Sequence, residues 1–203
     1  MAVRKSALVG SVLVLAGILM LTALTLERFL KSASRPIADE AALPDLGKAP
    51  EFSLTDSGGV AFDSKRLDGQ IYVIDFIFTN CSGICPILSN HMAGLHRAYS
   101  GRGGVEFVSI TVDPERDTPE VLTEYAERFG ADTGRWHFLT GALPYIHDVA
   151  VTGFKVGSMD DPLIHSERLI LVGREGVIRG YYDGTEADSV LELSRDIAIL
   201  AAQ

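Results

Sequence analysis

Residues 71–86 read Ile71-Tyr72-Val73-Ile74-Asp75-Phe76-Ile77-Phe78-Thr79-Asn80-Cys81-Ser82-Gly83-Ile84-Cys85-Pro86. The run from Ile71 to Phe78 is almost continuously apolar and rich in β-branched and aromatic side chains. That is the pattern of a central strand buried on both faces. Asp75 alone interrupts it, as a buried polar group placed where it could tune a nearby thiol. Pro86 suits the first position of a helix, and it disfavours the α conformation for Cys85. Cys81–Cys85 is therefore expected as a loop between a buried strand and a helix N-terminus. The carboxyl end of a parallel strand is where α/β proteins place ligand sites. A helix N-terminus also stabilises thiolates, so both thiols are expected to ionise readily. They lie close enough in sequence to share a metal or form a disulfide. A static structural disulfide is the weaker reading, because so short a loop removes little chain entropy.

Working outward, the chain alternates strands and helices. Glu51–Thr55 and Val60–Phe62 read as a hairpin around Asp56-Ser57-Gly58-Gly59. A helix over Pro86–Tyr99 puts Leu88, Met92, Leu95 and Tyr99 on one stripe. Val105–Val112 is the next strand. Thr118-Pro119 opens a second helix that buries Val121, Leu122, Tyr125 and Phe129 and stops at Gly130. The segment Glu115, Arg116 and Asp117 before it reads as a solvated loop. Trp136–Leu139 is a short strand and Pro144–Val151 a short helix. Arg168–Val172 and Val177–Tyr182 form a hairpin, and a last helix spans Ala187 to Leu200. Strands separated by helices pair in parallel, and the closing hairpin adds an antiparallel edge. The predicted fold is α/β, a mixed sheet flanked by helices on both faces and thioredoxin-like in type.

The chain has 203 residues, with 47% hydrophobic and 22% charged, which fits one domain plus an attachment. Ser6 to Leu26 carries no charge and is long enough to cross a membrane as a helix. It reads as an uncleaved transmembrane anchor. The alternative is a signal peptide cut near Ser32-Ala33-Ser34. The resulting layout is 1–5 on the cytoplasmic side, 6–26 as anchor, 27–50 as linker and 51–203 as the folded domain. The net charge is −9, yet residues 1–35 hold five basic residues against one acid. So acidic a body excludes nucleic acid as a partner.

Three elements together resemble the Sco/SenC family. They are Phe78-Thr79-Asn80-Cys81 with Cys85-Pro86; Val112-Asp113-Pro114-Glu115-Arg116-Asp117-Thr118-Pro119; and His165-Ser166 with the hairpin Leu169–Tyr182. The resemblance implies a thioredoxin-like, membrane-anchored protein binding one copper ion through Cys81, Cys85 and His165. It implies a role in assembling the dinuclear copper centre of cytochrome c oxidase. The partners it implies are the copper-bearing oxidase subunit and other copper chaperones or thiol reductases. Asp113 matches a family acidic position, either a turn residue or a group behind the metal ligands. Ser82 stands where many members have Pro, and Ile164 where many have Asp. The implied location is the bacterial inner membrane as a single pass, with the domain in the periplasm; the mitochondrial inner membrane is the second choice.

The donor chemistry agrees with copper. Soft thiolates favour Cu(I), and an imidazole helps to hold Cu(II). Structural zinc usually takes four Cys or His ligands, and three are offered here. The rival reading is a thiol–disulfide oxidoreductase with Cys81 and Cys85 as redox-active pair; a weaker rival is a peroxide reductase with Cys81 as nucleophile. His91, His96, His137 and His147 read as structural or exposed, Met92 as core, and Met159 as a loop residue, with an auxiliary soft ligand as its alternative reading.

Overall fold

The computed structural model describes residues 43–101, 103–158 and 166–203, together with Met20. Strands β1 (Ser53–Asp56) and β2 (Ala61–Asp63) form the first hairpin, followed by a 3₁₀ turn at Ser64–Leu67. The Asp56 carboxylate closes the hairpin turn by accepting from the Gly58 and Val60 amides, both at 2.9 Å. Then come β3 (Ile71–Ile77), α1 (Cys85–Tyr99), β4 (Val105–Thr111), α2 (Pro119–Arg128) and β5 (Trp136–Thr140). A short helix α3 (Leu143–His147) leads to the last hairpin, β6 (Arg168–Val172) and β7 (Ile178–Asp183), and to α4 (Ala187–Ala201).

The seven strands make one sheet in the order β2-β1-β5-β4-β3-β6-β7. β3 and β4 pair in parallel from Ile71↔Val105 to Ile77↔Thr111, and β5 extends this parallel set. β6 joins the other edge of β3 antiparallel, as the closing hairpin predicts. Every residue of β3 is buried, because both sheet faces are covered. On one face Val73 and Ile77 meet Leu88 and Met92 of α1, Leu122 of α2, and Leu193 and Ile197 of α4. On the other, Ile74 and Phe76 pack with Phe52, Phe62, Ile146 and Phe154. The mixed sheet flanked by helices is thus present. Strand alternation puts Asp75 on the face shared by Val73 and Ile77, beneath α1.

The structure moves several boundaries. α1 starts at Cys85, one residue before Pro86, because Ile84 already has helical dihedrals and its carbonyl accepts from Ile87 and Leu88. The missing Pro86 amide falls in the first turn, where no bond is required of it. The predicted helix over Pro144–Val151 is α3 continued by a π-helical turn, Asp148–Gly153, with the Phe154 amide on the Val149 carbonyl. Strand β6 begins at Arg168; His165 lies outside the described residues.

The last part of the predicted linker 27–50 packs on the domain. Residues 43–50 belong to the domain, since Lys48 bridges Val177 and the Leu46 and Ala49 amides donate to Ile178 and Gly176. Arg179 also donates to the Leu43 carbonyl. A backbone that lies against a sheet edge gains partners for its amides, which composition alone does not report. Residues 27–42 lie outside the described residues, as does the apolar run 6–26 apart from Met20. Among the described residues no helix is long and apolar enough to cross a membrane.

Pro50 ends this stitched segment against Gly153, where an added Cβ would meet the Pro50 ring at 2.5 Å. Gly153→Ala is therefore expected to destabilise the domain by roughly 1–3 kcal/mol through overpacking. Urea unfolding followed by circular dichroism reads this directly, and a variant as stable as the wild type would refute the packing argument.

Candidate metal and redox centre

The chain leaves β3 at Ile77 and turns at once, the Cys81 amide donating to the Phe78 carbonyl at 3.3 Å. Residues 81–84 then lead into α1. Both cysteines are free thiols, Cys81 half-buried and Cys85 buried. Gly83 sits beside the first sulfur, an ideal Cβ there falling 3.9 Å from Cys81 Sγ.

The two thiols differ. Burial raises the Cys81 pKa, but the amides of Cys85, Gly83 and Ile84 and the Cys85 thiol all bond its sulfur and together lower it. The Cys85 and Ile84 amides are those of the first residue and the N-cap of a 15-residue helix, so a thiolate meets donors at the positive end of the helix dipole. Cys85 goes the other way. Burial pushes it up to about 12, with the neighbouring Cys81 and the Asp75 charge adding to the rise. The expectation that both thiols ionise readily holds for Cys81 and fails for Cys85. Sequence reasoning placed both at a helix end and had no measure of how deeply the second is buried.

Behind Cys85 lies a buried polar group of residues. Asp75 is fully buried; its Oδ1 accepts from Ser109 Oγ at 2.6 Å, and Trp136 Nε1 donates to the same Ser109 oxygen at 3.0 Å. Asp75 Oδ2 is buried with no hydrogen-bond partner. Burial raises the Asp75 carboxyl to about 7, against the Ser109 bond that lowers it. Ser89, one turn after Cys85, shares a 2.8 Å hydrogen bond with the Tyr125 hydroxyl.

The loop Asp113–Thr118 reaches the same end of the sheet. Asp113 Oδ2 pairs with Arg116 Nη1 at 2.8 Å, so its carboxylate is engaged within its own turn. Glu115 and Arg116 are exposed as expected. Asp117 is not: it is fully buried, and it accepts from the Thr79 amide, the Thr79 hydroxyl and the Thr111 hydroxyl. The reading of Asp117 as a solvated loop residue is corrected on this point. Its bonds to Thr79 span 38 positions, and no local pattern signals them.

Of the histidines expected to be structural, His91 and His137 have polar partners elsewhere. His91 Nδ1 lies 2.7 Å from the Gly184 carbonyl, and His137 Nε2 lies 3.2 Å from Glu106. His96 is buried between Phe107 and Trp136, and Met92 is in the core. His165 and Met159 lie outside the described residues. Among the described residues no three His, Cys, Asp or Glu side chains are grouped to hold a metal. The described donors are thus the two thiols. A cleft of about 770 Å³, lined by Lys155, Gly157, Ser166 and Arg168 among others, includes neither cysteine.

A half-buried thiol of lowered pKa beside a buried one of raised pKa, at the carboxyl end of the central strand, defines a dithiol site able to hold a soft metal or exchange a disulfide. The SCO1/SenC family model matches residues 41–200. The chain belongs to the SCO1/SenC family. The SCO1 protein homolog of Bacillus subtilis is 31% identical over 152 residues, covering 72% of this chain and 79% of that protein. A solved structure of BsSco, described as a member of the Sco family of cytochrome c oxidase assembly proteins with a disulfide switch, superposes with a TM-score of 0.70. It is 28% identical and covers 79% of this chain and 98% of its own. Bradyrhizobium japonicum ScoI, solved with copper bound, gives a TM-score of 0.62 at 26% identity, covering 76% of this chain and 99% of its own.

Two measurements check the site. Iodoacetamide at neutral pH is expected to modify Cys81 well before Cys85, since only the thiolate reacts; peptide mass spectrometry of partly labelled protein would show equal labelling if the asymmetry were absent. Asp75 gives a pH effect. Its folded carboxyl titrates near 7 and its unfolded one near 3.8, so the folded state holds the proton through that window. Stability attributable to it is complete below the unfolded value and is lost as pH rises through 7, by up to about 4 kcal/mol. Asp75→Asn is expected to flatten the fall in urea midpoint between pH 5 and 8; an unchanged slope would show that Asp75 is already ionised in the folded protein.

Proposed function

We propose that this chain is a membrane-tethered copper metallochaperone that helps to metallate a respiratory oxidase. The observation that carries the reading is the pair of neighbouring thiols Cys81 and Cys85 at the end of β3, on a frame shared with a copper-bound relative. Cys81, Cys85 and His165 would hold the ion, and Asp113 would act behind them. Copper is cargo here: the two sulfurs suit Cu(I), and the imidazole adds the nitrogen that Cu(II) prefers.

The protein's own groups set the order of events. Cys81 offers a thiolate first, because the amides at the start of α1 already favour it. Cys85 surrenders a firmly held proton only when a cation replaces it, so uptake releases protons and tightens as pH rises. A Cys81–Cys85 disulfide offers no thiolate, and reduction must precede loading. Residues 6–26 would tether the domain as a single pass, with the domain in the bacterial periplasm, and the implied partner is the copper-bearing subunit of cytochrome c oxidase. The second reading, a thiol–disulfide oxidoreductase acting on an oxidase subunit or another copper protein, draws support from the unequal thiols. A low-pKa attacking thiol beside a buried resolving one is the arrangement exchange chemistry uses.

The two readings part at His165. Either Cys81→Ser or Cys85→Ser should lose nearly all tight copper binding by the reduced protein, because the chelate is broken. In His165→Ala, Cu(I) binding should weaken but persist, while Cu(II) binding and its thiolate charge-transfer absorption fall much further. Exchange with model disulfides should largely survive in that variant, and oxidase assembly in cells should fail. Normal assembly by His165→Ala at limiting copper would overturn the metallochaperone reading in favour of the reductase.

A further inference from the structure

Asp117 has no part in the chemistry above, yet it is fully buried at the same end of the sheet. Its Oδ2 accepts from the Thr79 amide at 3.0 Å and from the Thr111 hydroxyl at 2.5 Å. Its Oδ1 accepts from the Thr79 hydroxyl at 2.5 Å. Thr79 stands two residues before Cys81, and Thr111 is the last residue of β4, paired with Ile77 of β3. One carboxylate therefore ties the exits of both central strands together. Its own backbone is fixed in turn, the Asp117 amide donating to the Asp113 carbonyl at 2.9 Å.

We infer that Asp117 is the positioning residue of the dithiol, holding Cys81 against Cys85 through Thr79. Cys85 is anchored by α1, which is packed along its length. Cys81 has no such anchor of its own: a 3.3 Å turn bond to Phe78 and the amides of the next residues are what hold it. With both the amide and the hydroxyl of Thr79 bonded to one buried acceptor, the peptides on either side of Thr79 cannot rotate without stranding polar groups away from water. The sulfur that follows is kept near its partner, and its effective concentration at that partner stays high. The inference takes Cys81 and Cys85 as the working pair, as the proposed function does, but does not depend on copper.

The equilibrium between the protein and glutathione tests it. The disulfide takes two electrons and two protons from two glutathione thiols, giving the Cys81 and Cys85 thiols and one glutathione disulfide. Loosening Cys81 lowers the effective concentration of one thiol at the other and favours the dithiol. Asp117→Ala is expected to shift this equilibrium at least tenfold toward the dithiol, about 30 mV. Asp117→Asn is the conservative control. Its amide can donate to the Thr79 hydroxyl while its oxygen accepts from the Thr79 amide and Thr111, so it should stay within threefold of the wild type. Thr79→Ala should shift the equilibrium in the same direction as Asp117→Ala. Gly153→Ala, destabilised at the Pro50 contact, should not shift it. An equilibrium within twofold of the wild type in folded Asp117→Ala would overturn the inference. If that variant does not fold, the same result in Thr79→Ala overturns it. So would a shift in Gly153→Ala as large as that in the clamp variants, or an Asp117→Asn indistinguishable from Asp117→Ala. Failure of the wild type to bind copper is a separate result, which would sink the copper reading and leave this one standing.

Discussion

Strands β3 and β4 pair in parallel over seven residues, in a register that ends with Ile77 opposite Thr111. A parallel pair delivers both of its exits to one edge of the sheet, because the two chains run the same way. The cysteine loop leaves from the first exit and the Asp113–Thr118 loop from the second. A slip of one residue would turn the shifted strand's side chains to the opposite face and offset the two exits. Both faces of β3 are apolar and covered, and the burial of Ile71, Val73, Ile74 and Ile77 holds the register. The site is a consequence of that burial.

On this frame the thiols are made unequal by a difference of position no larger than one helical turn. Cys81 stands just outside α1 and faces amides without partners; Cys85 is the first helical residue and is pressed into the interior above Asp75. Hydrogen bonds outweigh burial at Cys81, whereas burial and neighbouring charge prevail at Cys85. A metal carrier gains an open thiolate that makes first contact and a second thiol that commits only when a cation is present. An exchange enzyme gains a nucleophile and a resolving thiol. One geometry suits both proposed readings, which part at His165.

The interior polar groups carry the cost of this arrangement. Asp75 sits in an apolar face with one oxygen unpartnered, a placement that disfavours its ionised form. Asp117 is equally buried, but three donors meet its carboxylate. Two aspartates at the same end of the same strand pair thus play different parts. One is a half-satisfied group under a thiol; the other is a satisfied tie between two loops.

Local pattern was enough for the strand over Ile71–Phe78, the helix stripe of Leu88 and Met92, the closing hairpin and the position of the cysteine pair at a strand end. These rest on periodicity and on the preferences of Pro86 and Pro119, which act within a few residues. The family was legible from three short motifs in order. The fate of Asp117 was not, since the same tripeptide holds the exposed Glu115 and Arg116, and only the return of the chain beneath Thr79 buries it. Residues 43–50 looked like linker because their composition is that of a linker; their partners lie on β7 and its turn, far along the chain. The rise of the Cys85 pKa likewise depends on what α1 packs against, which residue spacing does not contain. Sequence determined which segments become strands and helices and which residues carry sulfur. Tertiary structure decided which polar groups lose water and which find partners, because desolvation is set by neighbours distant in the chain.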